Sequence, residues 1–301
     1  MYNDIIISNG GHYLKKGRII KLIGGLYTVV DDTRQLSVVK PRGVFRYRNL
    51  DPKVGDFVMY DEDTIHELLP RFNDLNRPSI CNIDQALLIS SSVEPDFSSL
   101  LLDKFLAMVE FNHILPVIVI TKIDLLTEEQ LSDLKSTLEY YQKYYKVIFF
   151  STKTSVGLEE IKDVIKDKVN VLTGQTGAGK SSLLNTVDPT LNLATNEISK
   201  ALGRGKHTTR HVELIPLVNG WIADTPGFSK LEFYDMEDIQ LKDSFPDLFQ
   251  LGSHCRFNGC FHQTEPGCAV KQAVEEGTLP KERYLNYIKL LEEIRSYKIK
   301  Y

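Results

Sequence analysis

The sequence predicts a multidomain chain: an N-terminal all-β barrel, a doubly wound α/β nucleotide-binding domain, and a mostly helical C-terminal segment organised around a metal. Three observations carry this expectation. Short runs of β-branched and aromatic residues, broken by turn residues, fill the first seventy or so positions. From about residue 80, strand-sized apolar runs alternate with helical patterns. Three of the four cysteines then fall between 255 and 268. The expected boundaries are 1–70, 71–234 and 235–301.

Residues 1–70 break into "GRIIKLIGGLYTVVDD", "QLSVVKPRGVFRYR", "VGDFVMYDED" and "TIHELLP", punctuated by glycine pairs, Asp-Asp and proline. A five-stranded barrel of the oligonucleotide-binding (OB) type is the expected form. An SH3-like barrel, or a β-domain with no nucleic-acid role, fits the same strand content. In the second domain "QALLISSS", "LPVIVITK", "YKVIFFST" and "VNVLTG" suit buried parallel strands. Between them lie "SSLLLDKFLAMVEFN", "TEEQLSDLKSTLEYYQKY" and "GLEEIKDVIKD", read as helices, the second opening on Thr127 and an acidic first turn. "HVELIPLV" and "GWIADT" supply the last two strands. The closing helix, "KERYLNYIKLLEEIRSYK", places Tyr284, Tyr287, Ile288, Leu291 and Ile294 on one face, the stripe of a docked terminal helix.

Composition narrows the function classes. At 301 residues there is chain for two or three cores, and no apolar run reaches transmembrane length. The N-terminus lacks a basic segment followed by a long apolar one, so a cytoplasmic protein with no membrane partner is expected. A net charge of −4 argues against a wholesale nucleic-acid binder. The charge is unevenly spread, however. No acid lies between Asp32 and Asp51, a window holding Arg34, Lys40, Arg42, Arg46 and Arg48, and a second basic run spans Lys200 to His211. Lys40, Arg42, Arg46 and Arg48, with Phe45 and Tyr47 interleaved, form an expected RNA-facing edge; a solvated strand edge kept basic against pairing is the alternative.

The chemistry sits in four motifs. "GQTGAGKSS" (Gly174, Gln175, Thr176, Gly177, Ala178, Gly179, Lys180, Ser181, Ser182) follows an apolar strand and leads into a helix, as a phosphate loop must. Its backbone N–H groups close on phosphates, Lys180 reaches the β- and γ-phosphates, and the Ser181 hydroxyl ligates Mg²⁺. "DTPG" places Asp224 at a strand end to hold Mg²⁺ and Gly227 beside the γ-phosphate. In "TKID" (Thr121, Lys122, Asp124) the Asp124 carboxylate accepts both the N1–H and the exocyclic amine of guanine, which adenine does not offer. "STK" (Ser151, Thr152, Lys153) supplies a backbone donor for the guanine carbonyl. Together these loops select GTP and GDP.

Their order is unusual: guanine loop, carbonyl loop, phosphate loop, a basic switch segment, then Asp-x-x-Gly. That is a circular permutation, which chain ends lying near one another at a domain surface make feasible. The new C-terminal connection leaves directly from the element that senses the γ-phosphate, a way of wiring hydrolysis to a C-terminal domain. "TKID", "GQTGAGKSSL", "GRGKHTTRHVEL", "DTPGF" and the cysteine cluster, in this order and with "RPSICNID" ahead of them, resemble the RsgA (YjeQ/YloQ) family over essentially the whole chain. The resemblance implies an OB barrel, a permuted GTPase and a zinc domain. It also implies maturation of the small ribosomal subunit, whose rRNA is the partner, with GTPase activity stimulated by that subunit. Other assembly factors are further candidate partners, and a monomer is expected. Thr121 stands where the usual guanine motif has Asn, a change expected to loosen that loop's hydrogen bonds and slightly weaken guanine affinity.

Phe228 occupies the position from which a Gln orients water in Ras-like enzymes, so intrinsic hydrolysis should be slow. His207, beside the expected Mg²⁺ ligand Thr209, is the candidate for orienting water; a structural or RNA-contacting histidine is the alternative. Gly177 stands where cation-dependent GTPases carry Asn, so no potassium dependence is expected. Cys255, Cys260, His262 and Cys268 offer three thiolates and an imidazole, a closed structural Zn²⁺ set, with His254 as the rival to His262. An RNA-binding protein holding GTP only as a structural ligand, and a permuted GTPase serving tRNA or a membrane, are the competing functions.

Overall fold

The computed structural model describes residues 6–7, 13–47, 50–75, 78–193, 212–224 and 236–298. They form two compact units, one of 1–84, 165–171 and 197–228, the other of 85–164, 172–196 and 229–301.

The first unit begins with five strands that close on themselves: β1 (Tyr13–Ile23), β2 (Leu26–Val30), β3 (Leu36–Pro41), β4 (Phe57–Tyr60) and β5 (Thr64–Leu68). Pairing runs β1–β2–β3–β5–β4 and back to β1, antiparallel throughout except for β3 with β5. β1 closes the ring because it is long enough to pair twice. Lys15 to Arg18 face β4, and Arg18 to Ile23 face β2, with a register shift between Ile19 and Lys21 bending the strand between the two tasks. Gly24 and Gly25, both at positive φ, turn β1 tightly into β2. Ile19, Val29, Val39, Val58, Tyr60 and Ile65 fill the inside.

The expected strand "QLSVVKPRGVFRYR" ends early, at Pro41, and Gly43–Tyr47 form a short helix, α1. The helical turn lets Phe45 bury to 4 % exposure while Tyr47 stays 89 % exposed. The basic window therefore does not run along a strand edge beyond Lys40, and Phe45 belongs to the core.

The same unit holds a hairpin, β10 (Glu213–Leu217) and β11 (Gly220–Asp224), turned by Val218 and Asn219 at positive φ. β10 adds antiparallel to β1 at Glu213 and Lys21.

The second unit carries the expected parallel strands β6 (Gln85–Ser91), β7 (Leu115–Thr121) and β8 (Lys146–Phe149), with β7 central. Helices α2 (Ser99–Phe111), α3 (Glu128–Glu139) and α4 (Leu158–Ile165) connect them and lead to β9 (Val169–Gly174) and α5 (Lys180–Val187). Thr127 caps α3 in a reciprocal box with Gln130, satisfying two N–H groups the helix itself leaves unpaired.

The C-terminal helices α6 (Asp238–Asp243), α7 (Pro246–Gly252), α8 (Ala269–Glu275) and α9 (Lys281–Lys298) share one core with α2. Phe245, Leu248, Tyr287, Leu291 and Ile294 pack there against Ala107 and Met108. On α9, Tyr287, Leu291 and Ile294 are fully buried and Tyr284 and Ile288 partly so. Beside this core the buried guanidinium of Arg283 lies between Asp103 of α2 and Asp247 of α7, donating to both. Among the described residues no helix is long and apolar enough to cross a membrane.

Candidate functional site: a nucleotide cradle and a metal centre

The phosphate loop begins where β9 stops. Gly174 has φ 137°, and a Cβ placed there would stand 2.1 Å from the Ile89 carbonyl oxygen of β6, so no side chain fits between the two strands. Gln175, Thr176 and Gly177 are exposed, and Ala178 and Ser181 are buried. Gly179 caps α5 from the left-handed region, aiming the first helical N–H groups outward. The Lys180 ammonium donates to the carbonyls of Gly174 (2.7 Å) and Gln175 (2.8 Å), which holds it across the loop. Burial lowers its pKa to about 8, a cost that an anionic phosphate alongside would offset.

The guanine motif leaves the end of β7 and is tied to the phosphate loop. The buried Thr121 hydroxyl donates to the Ala178 carbonyl at 2.7 Å. Thr121 thus keeps at least one hydrogen bond between the guanine motif and the phosphate loop. Lys122, at φ 61°, donates through Nζ to the carbonyls of Val93 and Glu94. Ser92 Oγ in turn donates to the Lys122 carbonyl at 3.1 Å. The half-buried Asp124 accepts a 2.7 Å hydrogen bond from the Ser151 hydroxyl. That same fully buried oxygen accepts from the backbone N–H groups of Lys153 and Thr154, while Thr152 and Lys153 themselves are exposed.

Thus "TKID", "STK" and the phosphate loop, separate in sequence, are cross-linked in the second unit. A carboxylate held in this way is set in place before a base arrives. The Ser92–Glu94 segment is not legible in the sequence as part of the site, because its contribution is mostly backbone carbonyls; the polar run "SSSVEP" after a strand is the only signal. Ser151's grip on Asp124 is likewise hidden in "STK", whose spacing points only to a backbone donor.

Asp224 ends β11, opposite Glu213 in the ladder. Ser181 would offer a hydroxyl oxygen, the donor type Mg²⁺ takes, while the side chain of Asp224 lies outside what is described. His207, Thr209, Gly227 and Arg48 lie outside the described residues, as does the basic run from Lys200 to His211. Lys40 and Arg42 lie near the β3–α1 junction, both exposed, and Arg46 is in α1.

Cys255, Cys260, His262 and Cys268 converge, with ligand atoms all within 4.8 Å of one another. Cys255 and Cys268 sulfurs are 3.9 Å apart, and His262 Nδ1 lies 3.6 and 3.3 Å from them. A tetrahedral centre with Zn–S bonds of ~2.3 Å spaces its sulfurs about 3.8 Å apart, so the cluster fits Zn²⁺. Burial, with its sibling thiols adding to it, pushes the Cys260 thiol up to about 12, so a bound cation is what would favour its thiolate. Burial lowers His262 to about 4, which keeps the imidazole neutral and able to ligate. Tyr284 and Tyr287 of α9 donate to the His262 and Phe261 carbonyls, docking the terminal helix on the metal loop.

Two family models match the chain, "RsgA N-terminal domain" over residues 16–67 and "RsgA GTPase" over 68–234. The "Small ribosomal subunit biogenesis GTPase RsgA 2" of Oceanobacillus iheyensis is 49 % identical over 294 residues, covering 96 % of this chain and all of that protein. The "Small ribosomal subunit biogenesis GTPase RsgA" of Bacillus subtilis is 47 % identical over 301 residues, with the same coverage. Among solved structures, "The crystal structure of YloQ, a circularly permuted GTPase" superposes with a TM-score of 0.82 at 41 % identity, covering 96 % of this chain and 98 % of that one. YjeQ from Thermotoga maritima gives 0.83 at 36 %, covering 93 % and 98 %. The fold is that of a circularly permuted GTPase.

Two outcomes are expected. Asp124→Asn exchanges an acceptor for a donor, so it should weaken GDP binding by about 100-fold or more while gaining affinity for xanthosine diphosphate, read by competition with a fluorescent nucleotide. Purified protein should carry one zinc per chain by elemental analysis. Cys260→Ser, or a strong chelator, should remove that zinc and unfold the C-terminal helices, read as lost helical circular dichroism.

Proposed function

The chain belongs to the RsgA GTPase family, and from that premise we propose that it is a GTP hydrolase that binds the small ribosomal subunit and assists its late maturation. The observation that carries this is the cross-linked nucleotide cradle. Thr121 on Ala178 and Ser151 on Asp124 join the phosphate and guanine loops in the permuted order of the family. The phosphates belong to Gly174–Ser182, and the base to Thr121, Lys122 and Asp124 with Ser151, Thr152 and Lys153. Gly227 completes the γ-phosphate side.

Mg²⁺ belongs to Ser181, Thr209 and Asp224. When bound, it would supply positive charge against the negative charge that develops on the phosphates during transfer. Hydrolysis needs a group to orient water, and His207 is the proposed one, made effective on the subunit. Turnover should therefore be slow alone and faster on the subunit.

The functional division 1–70, 71–234 and 235–301 assigns rRNA contact to the first part. The closed ring β1–β2–β3–β5–β4, with its parallel β3–β5 contact, supports the OB-type reading. Lys40, Arg42, Arg46 and Arg48 are the proposed contacts to rRNA phosphates. Cys255, Cys260, His262 and Cys268 hold one structural Zn²⁺. A monomer in the cytoplasm, working beside other assembly factors, completes the proposal.

The test is GTP turnover with and without purified small ribosomal subunits. Stimulation of tenfold or more is expected for the wild type and not for His207→Ala, with GTP affinity unchanged by the substitution. Equal turnover with and without subunits would leave GTP as a structural ligand of an RNA-binding protein.

A further inference from the structure

The segment that holds Lys122 is anchored at both ends, and the second anchor belongs to the C-terminal helix. Lys122 Nζ donates to the carbonyls of Val93 and Glu94. At its near end this segment is tied to the guanine motif. The Ser92 N–H donates to the Thr121 carbonyl at 3.1 Å, and the Ser92 hydroxyl to the Lys122 carbonyl at 3.1 Å. At its far end the chain enters α2, capped by Ser98, whose hydroxyl accepts from the Leu101 N–H at 3.3 Å. There the buried Ser99 meets α9. Its hydroxyl donates to Glu282 Oε1 at 2.7 Å and accepts from Asn286 Nδ2 at 3.1 Å. Asn286 also donates to Asp103 Oδ2, one turn further along α2, at 2.8 Å. All of these residues belong to the second unit.

Neither partner of the Lys122–Glu94 bond has a relaxed backbone. Lys122 stands at φ 61° and Glu94 at φ 49°, left-handed values that a side chain disfavours and that persist only where neighbours impose them. We infer that Ser99, held by Glu282 and Asn286 of α9, is a positioning residue for guanine recognition, anchoring the far end of the segment whose carbonyls orient the Lys122 ammonium. This rests on the assignment of Lys122 to the base.

A lysine carries large rotamer entropy, so one already held at its ammonium loses less when its stem is laid along a base. Freeing Ser99 from α9 lets the Val93 and Glu94 carbonyls drift and returns that freedom to Lys122. The loss falls on how long nucleotide stays, more than on how fast it arrives. A partner that draws α9 off α2 would therefore speed nucleotide release without touching the nucleotide. Coupling of this kind is reciprocal, so bound nucleotide holds α9 on α2 more firmly by the same factor.

The experiment is stopped-flow association and dissociation of a fluorescent GDP analogue with the full chain. Wild type is compared with Ser99→Ala, Glu282→Ala, Lys122→Met and the double variant Ser99→Ala/Lys122→Met. Ser99→Thr, which keeps the hydroxyl, is the control. Glu282 is exposed, so its substitution probes the same contact without disturbing the core. Dissociation should be about three- to tenfold faster in Ser99→Ala, and faster in Glu282→Ala, with association changed by less than about twofold. Ser99→Thr should stay within about twofold of wild type. Lys122→Met should itself release the analogue at least about tenfold faster, and adding Ser99→Ala to it should change that rate by less than about twofold. Wild-type dissociation in both Ser99→Ala and Glu282→Ala would overturn the inference. So would a Ser99→Ala effect that persists undiminished in the Lys122→Met background, which marks general loosening. Wild-type dissociation in Lys122→Met would instead remove the assignment of Lys122 to the base, and the inference with it.

Discussion

The nucleotide site depends on one close approach, that of Gly174 to the carbonyl of Ile89. With 2.1 Å available to a Cβ, any other residue would force β9 away from β6. That separation would carry the phosphate loop with it. Ala178 would leave the Thr121 hydroxyl, and the guanine motif would lose its tie to the phosphates. The bonds among the loops are individually worth about 1 kcal/mol. Their value lies in fixing Asp124, Lys122 and the loop N–H groups relative to one another before nucleotide binds, so less ordering entropy is lost at binding.

The C-terminal segment is bound to the nucleotide unit by more than its covalent link. α9 lies on α2, the helix that follows β6, and the Arg283 guanidinium joins Asp103 of α2 to Asp247 of α7. Burial raises the Asp103 pKa, while Arg283 and the hydrogen bonds from Asn286 and Tyr141 oppose that rise. Such a buried cluster contributes more to choosing one docking geometry than to net stability, because desolvation offsets most of the attraction. The same helix α9 grips the metal loop through Tyr284 and Tyr287. The cysteine cluster and α2 are therefore parts of one packed core.

Much of this is legible in the sequence because each motif has a strict local requirement. A phosphate loop needs strand, glycine turn and helix; Thr127 with Gln130 spells a helix start; three cysteines and a histidine in a short span need a metal. What is not legible has a common cause, namely that it depends on partners distant in the chain. The strand expected through Arg48 stops at Pro41, and the helical turn that follows buries Phe45, which no alternation pattern announces. Thr121 looks like a weakened Asn, yet its hydroxyl finds the Ala178 carbonyl. The carbonyls of Val93 and Glu94 carry no side-chain signal at all.

A GTP hydrolase that acts on the small ribosomal subunit, as proposed, should bind that subunit according to its nucleotide state. The most direct measurement is equilibrium binding of the full chain to purified small subunits, once with a non-hydrolysable GTP analogue and once with GDP, at fixed salt and Mg²⁺. Affinity at least tenfold tighter with the GTP analogue is the expected result. Equal affinity in the two states would contradict the claim, since a nucleotide that does not distinguish bound from free protein cannot time its release.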